Sequence, residues 1–184
     1  MDTATWQQMI GCKKWGLHDG STILRLYAPV DDIHAAIMLL VKSARQSLHC
    51  AMYGYDDAEL DALFRDAWAD HNILVKIALD ATQAAGLAER PLLKLWPRDV
   101  YTSALVVGQS SKHRISHMKL IVADDCCLSG STNLSAQGES LQNNEATFVW
   151  SAKMAQEAQT RVSQVFAEMA AQPGCQSHAD LMGE

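Results

Sequence analysis

The stretch ILVKIALD, residues 73–80, limits the fold of this chain more than any other feature. Its apolar residues run almost without a break, where a strand with one wet face would alternate polar and apolar positions. A strand of this kind is covered on both faces, so the chain must supply cover for each. The flanking sequence offers it. In DDAELDALFRDAW, Leu60, Leu63, Phe64, Ala67 and Trp68 recur at helical spacing. In DDIHAAIMLLVKSARQ, Ile33, Ala36, Ile37, Leu40, Val41 and Ala44 do the same after two aspartates suited to capping. Between these helices SLHCAMY alternates Leu48, Cys50 and Met52 against His49, Ala51 and Tyr53, as a strand does.

YTSALVV, MKLIVAD and EATFVW predict further strands. Ser151 caps a last helix in which Ala155, Ala158, Val162, Val165, Phe166 and Met169 share a face, and Pro173-Gly174 ends it. This order predicts an α/β fold, a mixed, mostly parallel β-sheet flanked by helices on both faces. No repeat, low-complexity tract or Gly/Ser linker divides the 184 residues. Residues 1–172 are therefore expected to form one domain and 173–184 a loose tail.

A net charge of −6 argues against a general nucleic-acid coat protein, whose binding depends on clustered Lys and Arg. It leaves room for a local basic groove. Lys112, His113 and Arg114 form one cluster, and Arg90, Lys94 and Arg98 another, though such clusters are more often solvated surface. No apolar run approaches the ~18–20 residues of a membrane span. The N-terminus lacks the basic-then-apolar pattern of a signal peptide. A cytoplasmic protein without stable membrane association is expected. Its cysteines, Cys12, Cys50, Cys126, Cys127 and Cys175, are odd in number, follow no zinc-ribbon spacing and read as buried free thiols. Trp68 and Trp150 fall on apolar faces. Trp96 is a candidate for stacking on bases, and Tyr53 and Tyr55 end a strand where α/β proteins commonly bind ligands.

The chemistry concentrates in ISHMKLIVADDCCLSGSTNLS, residues 115–135. If HMKLIVAD is a strand, His117 and Lys119 share a face, about 6.6 Å apart by strand rise. On an apolar strand that pair costs desolvation free energy unless an anion meets it. The following SGSTN supplies a turn with exposed N–H groups, the Ser131 hydroxyl and the Asn133 amide. One imidazole, one ammonium and several neutral donors suit a tetrahedral phosphate and its transition state. Glu145 begins the next strand and is placed to accept from the second nitrogen of His117, which would leave the other free to attack. A lone His-x-Lys is more often a core histidine beside a surface lysine; the added Asp124, Gly130, Ser131, Asn133 and Glu145 reverse that balance. Neither His113 with His117, nor Cys126-Cys127, nor Asp124-Asp125 converges on a metal ion, and none is expected.

HMKLIVAD followed by GSTN resembles the signature of the phospholipase D superfamily, His-x-Lys-x4-Asp followed by Gly-Ser-x-Asn. His117, Lys119 and Asp124 match the first part, Ser131 and Asn133 the second, and Glu145 falls where that family keeps an acidic partner for the histidine. Five residues separate Asp124 from Gly130 where the family usually has six, which leaves open whether Asp124 or Asp125 takes the motif's place. The resemblance spans residues 30 to 170. It implies the phospholipase D-like fold and a phosphodiesterase that uses neither metal nor cofactor. His117 would attack phosphorus to form a phosphohistidine, Lys119, Ser131 and Asn133 would hold the nonbridging oxygens, and a second histidine would protonate the leaving oxygen.

The remaining histidines stand at 18, 34, 49, 71, 113 and 178, and none has a lysine two residues on. The chain thus carries half of a two-motif site, and a homodimer sharing one site between two His117 residues is expected. The favoured substrate is DNA or RNA. A phospholipase acting on head groups is the alternative, although no amphipathic segment with a basic face supports it. A non-catalytic binding module is disfavoured because each residue the chemistry needs is present. The acidity leaves room for a partner protein that delivers the substrate.

Overall fold

Strands that are apolar throughout need helices against both sides of their sheet. The computed structural model, which describes residues 14–16, 19–101, 103–112 and 114–183, has that arrangement. In chain order the elements are β1 (Lys14–Gly16), β2 (Thr22–Ala28), α1 (Ile33–Ser43), β3 (Ser47–Met52), α2 (Ala58–Ala69) and β4 (Leu74–Asp80). Then come the short helices α3 (Ala81–Ala84) and α4 (Glu89–Leu93), a 3-10 turn (Arg98–Val100), and β5 (Leu105–Gly108). Strands β6 (Lys119–Ala123) and β7 (Cys126–Gly130), helix α5 (Ala136–Ser140), β8 (Asn144–Trp150), α6 (Ala152–Ala170) and α7 (His178–Met182) complete it. The aspartates expected as caps act as such: Asp32 accepts from Ala35 N at 2.9 Å and Asp57 from Leu60 N at 2.8 Å.

All eight strands join one sheet in the order β1-β2-β8-β7-β6-β3-β4-β5. The α/β class and mixed sheet agree with the sequence reading, but "mostly parallel" needs refining. Strands β2, β3, β4, β5 and β7 run one way and β1, β6 and β8 the other, yet only β3–β4 and β4–β5 are parallel neighbours. Oppositely directed strands are interleaved on one side, because the β6–β7 turn is too short for a crossover.

Strand β4 lies inside the sheet, as its apolar run requires. Ile77 and Leu79 face the core under α1 and α2, with Ile37, Leu40, Phe64, Ile121, Leu128 and Phe148. Ala78 faces the other way, against Val162, Val165, Phe166 and Met169 of α6. Each fully buried large side chain contributes about 1.5–3 kcal/mol, so both layers are needed to hold the sheet. Lys76 escapes the apolar cover by reaching its rim: Nζ donates to Ser103 O at 2.9 Å and sits 4.4 Å from the Phe166 ring centroid.

The expected loose tail is a correction. Gln176 N donates to Val107 O at 2.9 Å, the segment forms α7, and Leu181 is buried. The sequence signal is small: Ser177 and Asp180 form a reciprocal capping box that starts the helix.

Because β6 runs antiparallel to its neighbour β3, the start of β6 lies beside the end of that strand. Lys119 is paired with Met52. The end of β7 and the start of β8 reach the same edge of the sheet, with Gly130 opposite Ala146.

Candidate active site

Lys119 opens β6 with only 8% of its surface exposed. Burial holds its ammonium below the usual lysine range. Its Nζ donates to the carbonyl oxygen of His117 at 3.2 Å and lies 4.9 Å from the Tyr53 ring centroid. The same ring meets the exposed His117 imidazole, with centroids 4.7 Å apart and planes at 57°. Tyr53 is thus a floor shared by the imidazole and the ammonium, and its hydroxyl accepts from Gln83 Nε2 at 2.9 Å. His117 itself precedes the strand.

Asn133 joins this group through Gly54. Gly54 N donates to Asn133 Oδ1 at 3.2 Å, which settles which end of the amide is oxygen and leaves the NH2 group turned away from that bond. A Cβ on Gly54 would lie 3.2 Å from Asn133 Cγ, so the close approach depends on glycine. Leu134 N returns a bond to Gly54 O at 3.0 Å, and Leu134 O accepts from Asp56 N and Asp57 N. The GSTN turn is thereby sewn to the end of β3. Gly130 has a similar constraint: a Cβ there would stand 2.2 Å from Glu145 O. Ser131 is more occupied than the sequence suggests. Its hydroxyl donates to Asn144 Oδ1 at 2.8 Å and accepts from Glu145 N at 3.0 Å.

Asp80 is a residue that sequence reasoning missed. Fully buried at the end of β4, it caps α3 through Thr82 N at 2.9 Å and accepts from Ser116 N at 2.5 Å. The second bond fixes the residue next to His117. An aspartate ending an apolar strand was the available signal, but its partner lies 36 residues away.

Several expected members are not brought in. Asp124 sits at the opposite end of β6, about 16 Å from Lys119 by strand rise. In the two-residue β6–β7 turn, at φ 49°, its carboxylate accepts from Arg45 N, Gln46 N and Ser47 N, each at 2.9 Å. Its work is to fasten the α1–β3 connection to that turn. Asp125 is exposed there and does not replace it in the site. Glu145 forms no hydrogen bond to His117 among the described residues. It alternates with Val149, which packs against the α6 layer, whereas Lys119 alternates with Ile121 on the α1–α2 side.

Trp96 is buried, and its Nε1 donates to Asp61 Oδ1 at 2.8 Å, so it is core rather than a stacking platform. Tyr55 is buried on the same carboxylate, and its N–H donates to Glu89 Oε2 at 3.0 Å. Trp68 and Trp150 pack against the core as expected. Cys50 and Cys127 are buried free thiols, Cys126 is buried, and Cys175 is half-buried. Lys112 and Arg114 are exposed just upstream of His117, while Arg90 is tied to Leu181 O at 2.8 Å. Cys12 and His113 lie outside the described residues.

Metal-ligating side chains do converge, but elsewhere. His34, Asp57 and Glu139 bring one nitrogen and two carboxylate oxygens within 4.8 Å of one another. No helix among the described residues is long and apolar enough to cross a membrane.

Comparison with known proteins agrees with this geometry. A family model described as cardiolipin synthase, PLD-like domain, matches residues 37–170. The fold is similar to Nuc from Salmonella typhimurium, a phospholipase D family member, with TM-score 0.67, 19% identity, and coverage of 81% of this chain and 96% of that one. NucT from Helicobacter pylori gives TM-score 0.63 and 15% identity over 81% of this chain and 98% of that one. Phosphatidylserine synthase from Haemophilus influenzae Rd KW20 gives 0.60 and 13%, covering 90% of this chain but 42% of that protein. No curated protein matches the chain in sequence. With a family model matched over most of its length and the His117–Lys119–Asn133 grouping at one sheet edge, the chain belongs to the phospholipase D superfamily of phosphodiester-acting proteins.

Proposed function

We propose that this protein is a metal-independent phosphodiesterase that cleaves DNA or RNA through a phosphohistidine formed at a homodimer interface. One observation carries the reading: the exposed His117 imidazole shares the Tyr53 ring with the buried Lys119 ammonium, beside an Asn133 amide whose oxygen is already engaged. The ammonium and the amide NH2 are donors for the nonbridging oxygens of a phosphodiester. His117 attacks phosphorus, the bond to the leaving oxygen breaks, and that oxygen takes a proton from His117 of the partner subunit. Water then attacks the phosphohistidine, giving up its proton to the same partner imidazole and releasing a phosphomonoester. A chain with a single His-x-Lys needs the second copy for the acid. An imidazole exposed at a sheet edge is open to one.

A polymeric phosphate fits the exposed Lys112 and Arg114 beside the site. The coverage also favours it, since Nuc and NucT are matched over nearly their whole length and the phosphatidylserine synthase over less than half. The test incubates purified protein in EDTA with labelled single-stranded DNA, duplex DNA, RNA and phosphatidylcholine vesicles. Cleavage of a nucleic acid, with label trapped on His117 after a rapid quench, is expected. Cleavage of lipid alone would move the substrate to phospholipids, and a folded protein inert on all four would overturn the reading.

A further inference from the structure

We infer that His34, Asp57 and Glu139 form a binding site for a zinc-class divalent cation, which fastens α5 to α1 and the start of α2. The inference goes beyond the phosphodiester chemistry and does not depend on it. The three residues come from separate elements: His34 from the first turn of α1, Asp57 from the cap of α2, and Glu139 from α5. His34 Nδ1 lies 2.5 Å from Glu139 Oε2 and 3.2 Å from Asp57 Oδ2. Tetrahedral zinc, with bonds of about 2.0–2.2 Å, keeps its donors about 3.3 Å apart. Asp57 is already at that spacing, and Glu139 needs to retreat by less than about 1 Å. The other oxygen of Asp57 is engaged in capping Leu60 N, so Oδ2 is the one available.

Two further observations point to a cation. The Glu139 side chain is fully buried, and its Oε1 has no hydrogen-bond partner among the described residues. A buried oxygen without a partner is costly, and no group among the described residues offsets it. Charge is also unbalanced. A single imidazole faces Asp57 and Glu139 on one nitrogen and Glu59, at 3.5 Å, on the other. One imidazole is thus outnumbered by three carboxyl groups.

A cavity of about 510 Å³, lined in part by Asp32, His34, Asp56, Asp57, Glu59 and Glu139, opens the cluster to solvent and gives a water access as fourth ligand. An imidazole nitrogen with two carboxylates favours zinc and its neighbours over magnesium or calcium, which take oxygen donors.

The test uses the full chain, stripped with EDTA, dialysed, and titrated with ZnCl2 by calorimetry alongside thermal unfolding. One tight equivalent per chain is expected, with a rise in Tm that an equal concentration of MgCl2 does not produce. His34→Gln and Glu139→Gln should each weaken that equivalent by more than about 100-fold, the upper range for losing even an outer partner of a metal ligand. Should Glu139→Gln not fold, Asp57→Asn serves in its place, because asparagine caps helices as well as aspartate does. Wild-type protein with no zinc-dependent Tm rise, or folded variants that keep wild-type zinc affinity, would overturn the inference.

Discussion

His117, Lys119 and Asn133 stand within one small volume but carry unequal burdens. His117→Ala should abolish turnover with little change in Tm, since an exposed imidazole contributes little packing. Lys119→Ala and Asn133→Ala should each lower kcat by about 10²–10³, the usual loss on removing one donor to a developing oxyanion. Steady-state kinetics on any cleaved nucleic acid check all three. The two acidic residues separate from them. Glu145→Gln should leave kcat within a few-fold, because its carboxylate holds no proton of His117. Asp124→Ala should instead destabilise the fold by about 1–3 kcal/mol, read in urea unfolding, while the folded fraction keeps its turnover. If Asp124→Ala lost turnover at full stability, the assignment of Asp124 to the α1–β3 connection would be wrong.

At the level of elements, what was readable in the sequence and what was not divide along physical lines. Helices α1, α2 and α6 announce themselves through local periodicity, and the first two through aspartate caps as well; Ser151 stands at the cap position of α6 without a side-chain bond. The motif residues are legible because they lie within seventeen positions, and a strand plus a turn brings them together. Sheet order leaves no such trace: β6 lies against β3, some seventy residues earlier, and no local pattern encodes that pairing. The face that Glu145 occupies is legible, since alternation along EATFVW puts it on Val149's side. Asp124 was harder, as its three partners come from a connection nearly eighty residues away.

Helix α4 carries a prediction of its own. Burial raises the Glu89 carboxyl to about 8, against the bond from Tyr55 N, with Asp56 and Asp80 adding to the rise. The folded protein therefore holds a proton that the unfolded chain releases near pH 4.5, so stability should fall as pH rises from about 4.5 to about 8. Glu89→Gln keeps an acceptor for Tyr55 N and cannot ionise. Between pH 5 and pH 8 its Tm should fall less than wild type's by at least about 4 °C, equivalent to 1–2 kcal/mol at this size. Parallel Tm curves for the two proteins would rule Glu89 out.

For the whole molecule the decisive question is whether two copies share one site. Mixing wild-type and His117→Ala subunits in equal amounts, followed by exchange, should reduce activity per wild-type chain to about one half, because only wild-type pairs hold two imidazoles. Unchanged activity per wild-type chain, or a monomer in sedimentation that turns over at full rate, would exclude a shared site. The bond from Gln176 to Val107 has a consequence for such assembly. Strand β5 ends the sheet, and the C-terminal segment meets its outer side in one bridge, Gln176 to Val107. Cutting the chain after residue 172 would remove that cover and Leu181 from the edge of a short apolar strand, leaving a template for uncontrolled chain-to-chain pairing. Truncated protein should then precipitate or run as polydisperse aggregates in light scattering, which would spoil the orderly pairing that the proposed shared site requires.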